Sequence, residues 1–378
     1  MKTTVNIARV LVGVLFIFSG LVKAIDPLGL AYKMQEFFEV WAGDGFLKGL
    51  MMWLHGHALW FSLLMITLEV VLGIALLIGW RIKLISWLLL LLMLFFTFLS
   101  SYVLFSGKIR ACGCFGDCIP LTPIQTFTKD IILLVLVLLI LLRQKYITPL
   151  FSNMISLAIV LLSIVSVAGL QWYVLRHLPV KDCLPYKKGN DLLKLREMPA
   201  DAIPDKYEYV FVYQKNGEKK EFSTSNLPDS SWQYLDRKQT LVQKGKNNVP
   251  LINDFTFTTA SGTDTTAAIL GQSGEYYLLF IKEMDGYPAK WDGDIQLIEK
   301  AVKQNKPIYI ITGQPQQVKD RFAGKCKIDG KDYDPVIFTC DVTAIKTAAR
   351  ANPSVFAMKG PVVQGKWSWV DFDKIIKN

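Results

Sequence analysis

Long apolar runs fill the first 175 residues, and short apolar runs alternating with charged residues fill the rest. Five of the long runs, near 6–25, 58–80, 83–106, 123–143 and 153–175, reach the roughly 20 helical residues that cross a hydrocarbon core of about 30 Å. The pattern therefore predicts a helical membrane part of five spans followed by a water-soluble part. Thr122-Pro123-Ile124-Gln125 fixes the start of the fourth span, as a capping box with proline at the first helical position. Between the first two spans, Asp26-Pro27 ends a helix, and Leu30 to Trp41 has the mixed faces of an interfacial amphipathic helix. Trp41, Trp53, Trp60, Trp172 and Tyr173 are placed at the outer headgroup level, and Trp80 and Trp87 at the inner one.

After the last span, 177–205 holds Cys183 and Pro179, Pro185, Pro199 and Pro204, which predicts an extended linker. Tyr207 to Phe222 reads as a β-hairpin whose Asn216-Gly217 favours a type I′ turn. The remainder alternates strand and helix. Strands are expected at Tyr276–Lys282, Pro307–Thr312, Val336–Thr339, Val355–Met358 and Val362–Trp367; helices are expected at Gly293–Asn305, Gln316–Phe322, Val342–Ala351 and from Val370. This order implies a sheet with helices packed on it. The expected divisions are a bundle over 1–150, a fifth membrane helix over 151–176, a linker and hairpin over 177–250, and an α/β domain over 251–378.

At 378 residues and 52% hydrophobic, the chain is too apolar for an ordinary soluble protein and too long for one domain. The net charge of +10 collects in no basic arm, so a lipid bilayer, and not nucleic acid, is the expected partner. The first span follows Lys2 and Arg9 and lacks an Ala-x-Ala cleavage site, so it reads as an uncleaved anchor. Arg81, Lys83, Arg143 and Lys145 in two short loops favour a cytoplasmic N-terminus; Lys108 and Arg110 on the other side weaken that bias without reversing it. Five spans then put the C-terminal domain and all six cysteines on the outer, oxidising side of an inner membrane, which favours disulfide chemistry over thiolate metal binding.

Half of those cysteines lie in one loop, Ala111-Cys112-Gly113-Cys114-Phe115-Gly116-Asp117-Cys118, just before the fourth span. Three thiols this close read as a metal knot, a structural staple or a thiol–disulfide redox site. A zinc knot lacks a partner, since His55, His57 and His177 have no ligand spacing to the loop. A Cys-x-Cys bridge closes a very small ring and should be easily reduced. The working assignment makes Cys112 and Cys114 the redox pair, with Cys118 a further redox candidate and Cys183 a partner thiol. Cys326 and Cys340 are expected to staple the soluble domain. Glu69, Lys129 and Asp130 fall inside spans, where ionisable groups usually face a bundle interior, as an ion pair or as a polar pocket beside the cysteines.

Arg9 to Lys23, Asp26-Pro27, Glu69 and above all Cys112-Gly113-Cys114-Phe115-Gly116 resemble the DoxX family and the related MauE-type proteins over about 1–150. Those proteins carry a four-helix bundle similar to that of quinone-linked disulfide generators, and the MauE type is implicated in maturing a disulfide-rich periplasmic enzyme. Cys118 and the fifth span are additions to that pattern. Residues 250–378 resemble the thioredoxin fold, with Leu251 to Phe257 as a hairpin entry and Asn352-Pro353-Ser354 where that fold places a cis-proline. After the first central strand, where the family has Trp-Cys-x-x-Cys, this chain has Glu283-Met284-Asp285-Gly286-Tyr287-Pro288. The combination resembles Bacteroidetes inner-membrane proteins of the DoxX family. It implies a membrane α-helical bundle, a four-helix DoxX/MauE-like core plus a fifth transmembrane helix, followed by an α/β thioredoxin-like domain without CxxC. Two functions fit: a thiol–disulfide oxidoreductase acting on an envelope client with a quinone as far acceptor, or a non-catalytic accessory subunit whose degenerate thioredoxin-like domain binds a partner protein.

Overall fold

The computed structural model describes the whole chain except residues 110, 244, 289–291, 329, 377 and 378, so Arg110 of the topology reading lies outside the described residues. The first half forms α1 (Lys2–Ala24), α2 (Pro27–Gly43), α3 (Lys48–Gly56), α4 (Ala58–Ile78), α5 (Ile82–Ser106), α6 (Pro123–Leu142) and α7 (Asn153–Arg176). Among the described residues, α1, α4, α5, α6 and α7 are long and apolar enough to cross a membrane. The protein is thus a multi-pass membrane protein whose helices meet lipid through residues such as Leu11, Trp60, Leu91, Val135 and Leu162, all exposed at the protein surface.

Helix α1 packs closely on α4. At their crossing, a Cβ on Gly73 would lie 2.8 Å from the Gly13 carbonyl oxygen, so only glycine lets the backbones approach this far. Helix α6 packs on α5 and α1, and α7 leans on α4 from outside. The capping box forms as expected: Thr122 Oγ1 accepts from the Gln125 amide at 3.4 Å, and the Thr122 amide donates to Gln125 Oε1 at 3.0 Å. Helix α2 is amphipathic as expected, with Lys33, Glu36 and Glu39 on an open face, but its apolar face packs on the bundle. It buries Leu30, Ala31, Met34, Phe37 and Phe38, and Phe38 meets Phe61 of α4 edge-on at 5.8 Å. Two adjacent phenylalanines give it an apolar stripe wide enough for a core position.

The second half opens with a three-stranded antiparallel sheet, β1 (Lys206–Lys215), β2 (Glu218–Ser223) and β3 (Gln233–Gln243), in the order β2-β1-β3. Asn216 and Gly217 both have positive φ, 51° and 86°, as a type I′ turn requires. Then come α8 (Thr266–Gly271), β4 (Glu275–Ile281), α9 (Gly293–Lys303), β5 (Ile308–Thr312), α10 (Pro315–Phe322), β6 (Lys327–Ile328), β7 (Lys331–Asp332), β8 (Val336–Thr339), α11 (Val342–Ala348), β9 (Ser354–Lys359), β10 (Val362–Ser368) and α12 (Asp373–Ile376). Their main sheet runs β10-β9-β4-β5-β8, with β4, β5 and β8 parallel to one another and β9 antiparallel to both of its neighbours, β4 and β10.

Strand β4 divides the core of this α/β domain. Tyr276, Leu278 and Phe280 face Phe255, Phe257 and Phe356, while Leu279 and Ile281 face Leu297, Ile298 and Phe322. The stretch after α7 is not a free linker: Leu184, Tyr186 and Leu192 are buried in the first of these faces, and the Leu192 amide donates to the Pro361 carbonyl at 2.9 Å. Its prolines hold it extended, and its apolar residues fasten it to the sheet. The Asn352–Pro353 peptide, immediately before β9, is cis.

Candidate functional site

The loop between α5 and α6 turns back under α1, and Gly113 makes this possible. Its φ of +74° lies in the left-handed region, which a side chain would strain, and the Lys33 stem lies against the face where a Cβ would project. The turn closes with the Gly116 amide donating to the Gly113 carbonyl at 2.9 Å. As a result the Cys112 and Cys114 sulfurs lie 3.1 Å apart, both buried. They are close enough to share one proton, and about 1 Å beyond disulfide bonding distance. The hydrogen bond with Cys112, reinforced by the Lys129 and Lys23 cations, draws the Cys114 thiol below its ordinary range against the cost of burial. The same hydrogen bond, together with burial, pushes Cys112 well up. Of the two sulfurs Cys114 is thus the one whose thiolate the site favours, which makes it the better leaving group of the pair.

Beneath the loop lies a polar cluster inside the bundle. Lys23 of α1 is ion-paired with Glu69 of α4, both almost fully buried. Ser19, one turn before Lys23, ties this pair to the loop: its Oγ accepts from Lys23 Nζ at 3.1 Å and stands 3.1 Å from the Cys114 carbonyl oxygen and 3.3 Å from Glu69 Oε2. On α6, Lys129 Nζ lies 2.8 Å from Asp130 Oδ1 and 4.8 Å from the centre of the Phe115 ring. A cavity of about 20 Å³ is enclosed by Ser19, Lys23, Glu69, Cys114, Lys129 and Asp130 among apolar neighbours. The residues expected as a polar bundle, Glu69, Lys129 and Asp130, are thus brought together with Cys114. The sequence reading missed Lys23 and Ser19; their i, i+4 spacing at the end of the first span was the available signal.

Cys118 and Cys183 form a disulfide that joins the loop to the segment after α7. Beside it, Arg350, after α11, reaches from the α/β domain to the membrane half: Nε donates to Asp26 Oδ2 at 2.9 Å and Nη2 to Asp117 Oδ2 at 2.8 Å. Its Nη1 donates to the Lys346 carbonyl at 3.0 Å, and its guanidinium lies 5.4 Å from the centre of the Tyr32 ring. Lys282, just after β4, completes the contact, with Nζ 3.3 Å from Tyr32 Oη and 3.2 Å from the Arg350 carbonyl. The edge of the α/β domain near cis-Pro353 therefore rests on α2 and on the cysteine loop. Sequence reading gave no sign of this, because its partners are hundreds of residues apart.

One expected pair is corrected. Cys326 and Cys340 are separate thiols, not a bridge. Cys340 packs with Phe257 and Phe338 on one face of the sheet and Cys326 with Val318 and Phe322 on the other, so the sheet stands between them. Burial pushes their thiols up to about 12 and about 11, which leaves both without thiolate character.

With this geometry in view, the comparisons with known proteins divide along the same line. Residues 1–143 match the family of the methylamine utilisation protein MauE. The MauE-like stretch comprises α1 to α6 with the whole cysteine loop. A second family, a domain of unknown function, matches 207–244, the stretch that carries the β2-β1-β3 sheet. Protein TlpB of Flavobacterium psychrophilum is 36% identical over 127 residues, which are 33% of this chain and 32% of that protein. The chain thus spans about a third of the length of the curated relative it matches. No solved structure matches the chain.

Proposed function

We propose that this is an inner-membrane thiol–disulfide protein in which Cys112 and Cys114 exchange electrons with an envelope client, assisting its oxidation or maturation. The observation that carries the reading is the 3.1 Å approach of two buried sulfurs in the field of Lys23 and Lys129, which holds Cys114 as the leaving sulfur. In the oxidising direction a client thiolate attacks Cys112 of the bridged pair and Cys114 departs with the electron pair. The client's second thiolate then attacks the mixed disulfide, leaving a client disulfide and two reduced loop cysteines. Cys118 and Cys183, already bonded to each other, hold the loop to the outer domain while the pair cycles.

In this reading the N-terminus is cytoplasmic and the α/β domain periplasmic. The strand order around β4 and the cis-Pro353 before β9 support a thioredoxin-like domain. Glu283 to Pro288 after β4 hold no cysteine, and Cys326 and Cys340 lie on opposite faces of the sheet, so the domain has no paired dithiol of its own and serves to position a client protein over the loop. A quinone, the acceptor implied by the resemblance to disulfide generators, fits the residues present. Between α1 and α6 a lipid-facing groove of about 500 Å³ is walled by Leu11, Leu15, Ile132 and Leu136, with Gln125, Thr128 and Lys129 as polar groups. Those three would hold a quinone ring, which when bound supplies a two-electron acceptor within the bilayer.

Single Cys112→Ser and Cys114→Ser chains test the reading. In membranes kept under a mild disulfide oxidant, Cys114→Ser, which keeps the attacked sulfur and lacks the leaving one, should accumulate a reductant-sensitive adduct with a client, and Cys112→Ser and the double variant should accumulate none. Full function of a folded double variant would contradict it and would favour the accessory-subunit alternative, in which the loop and its disulfide only brace the docked α/β domain.

A further inference from the structure

We propose that Asp130 is the proton-exchanging group of the Cys112/Cys114 pair, acting across the small polar cavity through a single water molecule. The proposal rests on the redox reading above and adds the acid–base chemistry which that reading requires.

The cavity beside Cys114 measures about 20 Å³. This exceeds the ~10–15 Å³ that one water needs, and the polar groups around it meet a water's need for two to four partners. Of the two carboxylates that line it, Glu69 is committed to Lys23 and Ser19. Asp130 is held by the Lys129 cation alone: it is 1% exposed, Lys129 Nζ stands 2.8 Å from its Oδ1, and among the described residues neither oxygen receives a hydrogen bond of good geometry. Lys129 lies within ion-pair distance of Asp130 but off the line that a hydrogen bond needs. A fully buried carboxylate with open acceptors is costly to maintain unless something at the site serves it. A water in this cavity satisfies Asp130 and links it to the Cys114 sulfur.

The charged and titratable groups facing Asp130 are Lys129 on its own helix, Lys23 on α1, Glu69 on α4, and Cys112 and Cys114 on the loop. Helix α5 contributes Met93 and Phe96, which carry no charge. The proton balance follows. When a dithiol reduces the bridge, the S–S bond breaks, two electrons pass to the loop sulfurs, and the two thiol protons of the reductant must reach Cys112 and Cys114. Asp130, protonated, gives its proton to the sulfur leaving as a thiolate and regains one from the reductant's second thiol. In the reverse direction it takes the thiol proton.

The test uses the full chain in nanodiscs. The oxidised pair is reduced with dithiothreitol across neutral and mildly acidic to alkaline pH, quenched and alkylated, and the rate is corrected for dithiothreitol thiolate. General acid–base help is worth about 10²–10⁴-fold, so Asp130→Asn should slow reduction at least tenfold and remove one inflection from the pH profile, and Asp130→Glu should restore it in part. A superimposable Asp130→Asn profile would overturn the proposal. If Asp130→Asn does not fold, redox-difference infrared spectra of the wild-type chain with labelled aspartate decide: an aspartate carboxyl band that changes with the state of the pair supports the role, and its absence overturns it. A pair that never opens or closes at any pH brings down the redox reading itself, whereas a pair that cycles with an unchanged Asp130→Asn profile removes only Asp130.

Discussion

Arg350 offers the sharpest quantitative test of how the two halves hold together. Its side chain is 5% exposed and bonded to two carboxylates that differ in setting, Asp26 at 18% exposure and Asp117 at 45%. Removing one member of a buried pair costs about 3–5 kcal/mol, whereas a half-exposed pair is worth at most about 1 kcal/mol. Arg350→Ala should therefore weaken docking by about 3 kcal/mol, most of it through Asp26. At 1.4 kcal/mol per factor of ten this is an increase of roughly 150-fold in the opening equilibrium. Hydrogen exchange of the loop and of the first turn of α2, in nanodiscs, reads that equilibrium. A double-mutant cycle separates the partners: Arg350 with Asp26→Ala should show a coupling of about 2 kcal/mol or more, and with Asp117→Ala less than about 1 kcal/mol. Arg350→Lys should recover little, because an ammonium cannot reach both carboxylates as the guanidinium fork does. An exchange rate within threefold of wild type, or a coupling to Asp117 that equals that to Asp26, would refute the reasoning.

Two further outcomes are expected. Burial draws the Lys282 amine down to about 8 from its ordinary 10.5, so the docked state binds this proton less well than the opened one. Docking then gains stability as pH rises from about 8 to 10.5, by up to about 3 kcal/mol. In the same exchange measurement, with each rate divided by its intrinsic base-catalysed rate, protection should rise over that window, and Lys282→Met should abolish the rise. Within the bundle, Glu69→Ala leaves Lys23 buried without its counter-charge and should cost about 3–5 kcal/mol, whereas Lys23→Met with Glu69→Leu should recover most of it. Thermal unfolding of the purified chain in detergent reads both; equal loss in the single and double variants would count against a buried pair.

Much of the architecture was legible because its causes are local. The spans follow from runs of apolar residues, and the capping box at Thr122 and the turn at Asn216-Gly217 each lie within four residues. Strands β4, β5, β8, β9 and β10 show in β-branched and aromatic runs that match the buried faces of one sheet, whereas the two-residue strands β6 and β7 carry no such run. Strand β3 was missed because it is exposed along its whole length and carries no alternation of buried and exposed positions. The burial of α2 was missed because an apolar stripe suits a lipid interface as well as a helix neighbour. At the site, the cysteine loop stood out by composition, but the Glu69 partner lies 46 residues away and the Asp26 partner 324. Cys326 and Cys340 looked like a pair because both lie near β8; only the three-dimensional sheet reveals that they occupy opposite sides.

On the proposed function, one pair of cysteines cycles while another holds. Differential alkylation with mass spectrometry, on membranes prepared under thiol trapping with and without mild reductant, measures this directly. The expected result is a Cys112–Cys114 bridge that forms on oxidation and opens under mild reductant, while Cys118–Cys183 stays closed and Cys326 and Cys340 remain thiols throughout. A Cys112–Cys114 pair that never bridges, or that resists reduction as firmly as Cys118–Cys183, would contradict it.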